Sequence, residues 1–136
     1  MQAILRYRLE QADQTLEEAS VLANASLLRG AVNRAYYAMF YATLALLATG
    51  RLGTSKHSSV LALFDREFIK TGLLPKELSR SLRNAFDLRQ EQDYKDYGEP
   101  FEIDDETVKI ALTNARNFVD AVNIFLVDNG YLSRQK

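Results

Sequence analysis

Residues 87–100, DLRQEQDYKDYGEP, bring one arginine, two tyrosines and five acidic side chains into fourteen positions. Arginine is a permanent cation whose planar fork of donors matches phosphate or carboxylate oxygens in pairs. The chain has a single histidine, His57, next to Lys56, and histidine is the side chain that exchanges a proton most readily near neutral pH. Anion binding and proton transfer are therefore the chemistries these residues offer. There is no cysteine, which removes a thiolate nucleophile, a disulfide framework and a zinc–thiolate site. No spacing suggests another metal-ligand cluster, a glycine-rich phosphate loop or a Ser-His-Asp constellation, so neither metal nor cofactor is expected.

The elements that would position these groups are helices. Two prolines and six glycines in 136 residues leave long uninterrupted stretches. Residues 2–23 space Leu5, Leu9, Ala12, Leu16, Ala19 and Ala23 alternately by four and three, which is one apolar stripe on a helix. Residues 27–49 are apolar on nearly every side, with Ala31, Ala35, Ala38, Ala42 and Ala45 on one face and Asn33, Tyr37, Phe40 and Leu44 opposite. A helix apolar all round is buried all round, so this one is expected at the centre. Gly50 to Gly53 end it, and Thr54 or Ser55 can cap a third helix running to about Lys70, with Val60, Leu61, Phe64 and Phe68 inward. Pro75 suits the first turn of a fourth helix, which ends near Asp93. Asp104 or Asp105 can cap a last helix whose stripe is Val108, Leu112, Ala115, Val119, Val122 and Leu126. Five helices with short connections predict an all-α, up-and-down antiparallel bundle, folded as one domain over residues 1–136.

On the fourth helix, Leu78, Leu82, Ala85 and Phe86 define the inward face at about 100° per residue. Arg89 falls within that face, and Asp93 sits one turn beyond. An unpaired buried charge costs several kcal/mol. Either Asp93 pairs with Arg89 and closes the bundle's end, or Arg89 lines a cleft or a dimer interface.

The formal charge of −1 and a pI near 5.8 argue against a dedicated non-specific nucleic-acid binder, while leaving room for a local basic groove. The charged N-terminal residues lack the apolar run of a signal peptide. Residues 35–49 are too few for a membrane span of ~20 residues. A cytoplasmic location is the expectation.

Three segments taken in order, AVNRAYYAMFYA (31–42), KHSSVLALFDREFIKTGLLPKEL (56–78) and AFDLRQEQDYKDYGEPFEIDDE (85–106), give the chain a resemblance along nearly its whole length. It resembles the HEPN superfamily, and within it the small stand-alone proteins encoded beside a minimal nucleotidyltransferase in toxin–antitoxin-like systems. The resemblance implies a metal-independent ribonuclease acting as a homodimer, with the motifs of two protomers forming one composite cleft. The family signature is Arg, four to six residues, then His, and its arginine corresponds to Arg89. This chain departs from it, because positions 94, 95 and 96 are Tyr, Lys and Asp.

Cleavage by the RNA 2′-hydroxyl needs a proton acceptor, a proton donor and positive charge on the phosphorane. Arg89 supplies the charge. Tyr94, with a reference pKa near ~10, is a poor base, and Asp93 can act as a base or neutralise Arg89. His57 can fold into the cleft in place of the motif histidine, or remain a local or solvated group at a helix N-terminus, where both the helix end and Lys56 disfavour its charged form. Lys56 and His57 can also contact phosphate there. Related systems attach AMP to a tyrosine after the motif, which makes Tyr97 a modification candidate; alternatively Tyr94 and Tyr97 pack over the bundle's end. Lys76, Arg80 and Arg83 form a basic stripe on the fourth helix, either solvated or in contact with phosphates beside Arg89. Asn33 and Tyr37 are either polar groups of the cleft or a buried hydrogen-bonding pair. Two functions stay open: an RNA-cleaving toxin subunit centred on Arg89, or a non-catalytic module that binds nucleotide or RNA or docks to a nucleotidyltransferase.

Overall fold

A computed structural model describes residues 1–52, 56–93 and 103–134. Among these residues the chain forms five α-helices, one π-helical turn and no strand: α1 (Gln2–Asn24), α2 (Leu28–Thr49), α3 (His57–Phe64), the π turn (Asp65–Ile69), α4 (Lys76–Asp93) and α5 (Asp105–Asp128). The architecture is the expected all-α bundle.

The central position of α2 follows from its composition. Small residues on one side (Ala31, Ala35, Ala38, Ala42, Ala45) and large ones on the others (Tyr36, Met39, Phe40, Leu46, Leu47) are all buried. The helix packs against α1, α3, α4 and α5. Fully burying one large apolar side chain contributes about 1.5–3 kcal/mol, so these contacts are what hold the bundle together.

The α1 stripe is buried at Leu5, Leu9, Ala12, Leu16 and Ala19, and becomes half-buried at Ala23. α1 and α2 run antiparallel. Gly30 sits beside Leu22, close enough that an added Cβ would lie 3.2 Å from Leu22 Cδ1, and Arg34 reaches Glu18 one turn along. The turn between them closes on Ser26 at φ 61°, with Leu27 N donating to Leu22 O at 2.8 Å.

The third helix departs from expectation. It is α-helical only as far as Phe64 and continues as a π turn, in which Lys70 N donates to Asp65 O at 2.8 Å. Val60, Leu61, Phe64 and Phe68 are buried as expected, because one widened turn still keeps apolar groups about four apart on the same side. Asp65 ties this turn to α4: its carboxylate accepts from Ser79 Oγ at 2.6 Å and pairs with Arg83. Lys56 is the N-cap residue of α3, while Thr54 and Ser55 lie outside the described residues.

Pro75 immediately precedes α4, and Leu78 N donates to its carbonyl at 3.1 Å. Leu78 and Leu82 are buried, with Ala85 and Phe86 half-buried. Asp104 caps α5, its Oδ1 accepting from Thr107 N at 2.8 Å, and that bond holds its carboxyl below the usual range. On α5 the stripe is buried at Val108, Ala115, Val119, Val122 and Leu126. Among the described residues no helix is long and apolar enough to cross a membrane.

Candidate functional site

The aromatic residues of α2 build the floor of the site. Tyr36 and Phe40 are one turn apart, as are Tyr37 and Tyr41, so the four rings form a ladder along one side of the helix. Arg89, on the last turns of α4, is half-buried and holds its Cζ 5.5 Å from the Tyr36 ring centroid and 5.2 Å from that of Tyr37. Cation–ring attraction of this kind strengthens as water is excluded.

His57, the first residue of α3, lies on the same ladder. Its ring stacks on Phe40 with centroids 4.2 Å apart and planes at 13°, and meets Tyr37 edge-on at 5.6 Å. Its Nδ1 is 2.9 Å from the hydroxyl of Tyr36. The Tyr36 ring is wholly buried, and Phe86 of α4 packs its edge against it at 5.8 Å. Thus α2, α3 and α4 together fix a histidine and an arginine against two shared tyrosines.

The electrostatics follow from this packing. Burial, and then the charge of Arg89, hold the His57 pKa below its ordinary value of 6.5. Burial also pushes the Tyr36 phenol well above its usual range, with Arg89 opposing. At neutral pH the pair is therefore an uncharged imidazole and an un-ionised phenol beside a permanent cation. Such a set can bind an anion through arginine and accept a proton at histidine. Among the described residues no three carboxylate, histidine or cysteine groups cluster as metal ligands.

The chain matches the HEPN domain family over residues 5–125. This chain is a HEPN protein. It is 42% identical over 125 residues to a Thermotoga maritima protein named UPF0332 protein, the match covering 92% of each chain. It is 35% identical over 134 residues to a Methanocaldococcus jannaschii protein named "Putative toxin MJ0142", covering 94% of this chain and 89% of the relative. A second protein of that organism, "Putative toxin MJ0605", is 33% identical over 114 residues, with coverage of 84% and 82%.

In this HEPN protein the structure unites some of the expected site residues and separates others. Arg89, His57 and Tyr37 converge, with Lys56 exposed beside them. Asn33 is engaged with its neighbour: its Oδ1 accepts from Arg34 Nε at 3.2 Å and from Nη2 at 2.8 Å, so of the two alternatives for Asn33 and Tyr37 the hydrogen-bonding pair gives way to an Asn33–Arg34 pair. Lys76, Arg80 and Arg83 do not stand beside Arg89. At about 100° per residue they point some 120–180° away around α4, and Arg83 is paired with Asp65. Of the two alternatives for this stripe, the offset agrees with a solvated face rather than with phosphate contacts beside Arg89. The side chain of Asp93, together with Tyr94 and Tyr97, lies outside the described residues.

Two residues emerge that the sequence reading did not single out. Tyr36 anchors His57, a contact between residues 21 positions apart that no local spacing announces. Arg34 places its Cζ 5.0 Å from the Tyr37 ring centroid; its position three residues before Tyr37 on one helix was a usable local signal.

Proposed function

We propose that this HEPN protein is a toxin-type component that cleaves RNA without a metal, as a homodimer whose two Arg89 sites face one cleft, under the control of a small nucleotidyltransferase partner. The observation that carries the reading is the placement of Arg89 and His57 against the same two tyrosine rings. The names of the two Methanocaldococcus relatives support the toxin assignment.

In this reading His57 does the work of the histidine missing at position 94. Its uncharged imidazole takes the proton of the RNA 2′-hydroxyl as that oxygen bonds to phosphorus. The bond from phosphorus to the 5′-oxygen breaks, and His57 returns the proton to the departing oxygen. The products are a 2′,3′-cyclic phosphate and a 5′-hydroxyl. Arg89 stabilises the extra negative charge on the phosphorane, a contribution that grows in a site closed to water.

The test is incubation with mixed RNA in EDTA, with Arg89→Ala and His57→Gln beside the wild-type protein. Cleavage lost in both variants, with a cyclic phosphate end in the wild-type products, is the expected result. Cleavage retained by His57→Gln removes His57 from the mechanism. A folded, dimeric wild-type protein that cuts nothing supports the second reading, a module that binds RNA or nucleotide or docks to the nucleotidyltransferase. Tyr94 in place of the signature histidine favours that alternative. Light scattering showing a monomer at micromolar concentration counts against the composite cleft.

A further inference from the structure

Arg34 and Arg89 come from different helices and converge on one ring. Their Cζ atoms lie 5.0 and 5.2 Å from the centroid of Tyr37. The ring attracts both cations, so two phosphate-binding groups from different helices are gathered about one aromatic platform. Arg34 is also pre-set. Asn33 Oδ1 binds its Nε and Nη2, which fixes the plane of the guanidinium and leaves Nη1 on the outer side. Nη1 meets Glu18 Oε1 at 3.6 Å, where the Arg34 side chain is 31% and the Glu18 side chain 57% exposed. An exposed pair at that distance is weak, so an incoming phosphate oxygen can replace the carboxylate.

We infer that Arg34, Tyr37 and Arg89 form a phosphate clamp for a single RNA strand, in which Arg34 grips a phosphate neighbouring the one held by Arg89 and Glu18 occupies the Arg34 position until RNA arrives. The inference rests on the RNA-directed reading of the Arg89 site and extends it to a positioning residue, with no part in proton transfer. Arginine suits the role because its remaining donors keep a fixed direction once Asn33 holds the other edge. Glu18 gives the clamp selectivity as well: it competes with weak anions, while a strand presenting consecutive phosphates engages both arginines together.

The test is equilibrium binding of a fluorescent RNA with 2′-O-methyl groups, which cannot be cleaved, measured by anisotropy over a range of salt for the full chain. Arg34→Ala is expected to weaken binding about tenfold and to reduce the log–log salt slope by about 0.7, the loss of one single-strand phosphate contact. Arg34→Lys regains the slope but only part of the affinity, because the charge returns without the planar fork. Glu18→Gln is expected to tighten binding about threefold, an effect that misfolding cannot mimic and that decides the matter if Arg34→Ala proves unstable. Should Arg34→Ala and Glu18→Gln both match the wild type while Arg89→Ala binds weakly, the clamp is wrong and the RNA reading survives. A wild-type protein that binds no RNA overturns both.

Discussion

Lowering the pH through the histidine range charges one imidazole in this protein, because His57 is its only histidine. Stacked on Phe40 at 4.2 Å and near Arg89, that ring resists protonation in the fold, where burial and then the Arg89 charge keep its pKa below 6.5. The unfolded chain protonates near 6.5. Between the two values the unfolded state binds more protons, so stability is complete above the unfolded value and declines as pH falls towards the folded one. One group changes stability by at most about 1.4 kcal/mol per pH unit, and partial exposure of His57 makes the actual slope smaller. Ordinary carboxylates titrate near about 4 and burial raises Asp13 above that range, so the histidine contribution is read as the difference between the wild type and His57→Gln over about pH 5.5 to 7. The assay is direct: a single imidazole Hε1 resonance followed by proton NMR, alongside urea midpoints at each pH. His57→Gln should remove the decline in this window. Arg89→Gln should raise the His57 pKa towards 6.5 without reaching it, since burial, the larger cause, remains. A wild-type pKa at or above 6.5, or one that Arg89→Gln leaves unmoved, would falsify the claim that these two residues share a site.

Three further outcomes can be checked by equilibrium unfolding. Tyr36→Phe keeps a fully buried ring and loses the hydroxyl that meets His57 Nδ1, so it should cost about 1 kcal/mol, whereas Tyr36→Ala should cost about 3–5 kcal/mol. Equal costs for the two would show that the hydroxyl matters more than the packing. Asp65→Ala removes an acceptor from both Ser79 and Arg83; with Arg83 half-exposed, the loss expected in urea titration is about 1–2 kcal/mol. Ser26→Gly relieves a left-handed backbone at φ 61°, and the relief of about 1–2 kcal/mol less the glycine entropy cost of about 0.5–1 kcal/mol leaves a small gain, visible as a modest rise in Tm.

Much of the fold was legible because burial leaves a period. The stripes of α1 and α5, and the all-round apolarity of α2, predicted where those helices sit. The π turn was not legible, since Phe64 and Phe68 satisfy an α-helical period and a single wider turn equally. Nor was the left-handed backbone at Ser26 and Arg51, where turn chemistry ordinarily favours glycine. The site divides in the same way. Arg89 betrayed itself as a charge within an apolar face, a local contradiction that a helical wheel exposes. The meeting of His57 with Tyr36 depends on how α3 docks against α2, which no spacing encodes. Arg34 was not singled out, although it stands three residues before Tyr37 and its side chain lies over that ring.

The tie at Asp65 has a mechanical meaning. α3 and α4 fold back on each other around residues 70–75, like the two legs of a caliper joined at one end. Asp65 is the set-screw partway along: its carbonyl closes the π turn on one leg and its carboxylate grips Ser79 and Arg83 on the other. Beyond the screw, one leg carries His57 at its tip and the other carries Arg89. The rings of α2 seat the two tips, while Asp65, which touches neither, holds the legs together, so a lineage altering Asp65 or Arg83 would loosen the frame while leaving both tips chemically intact.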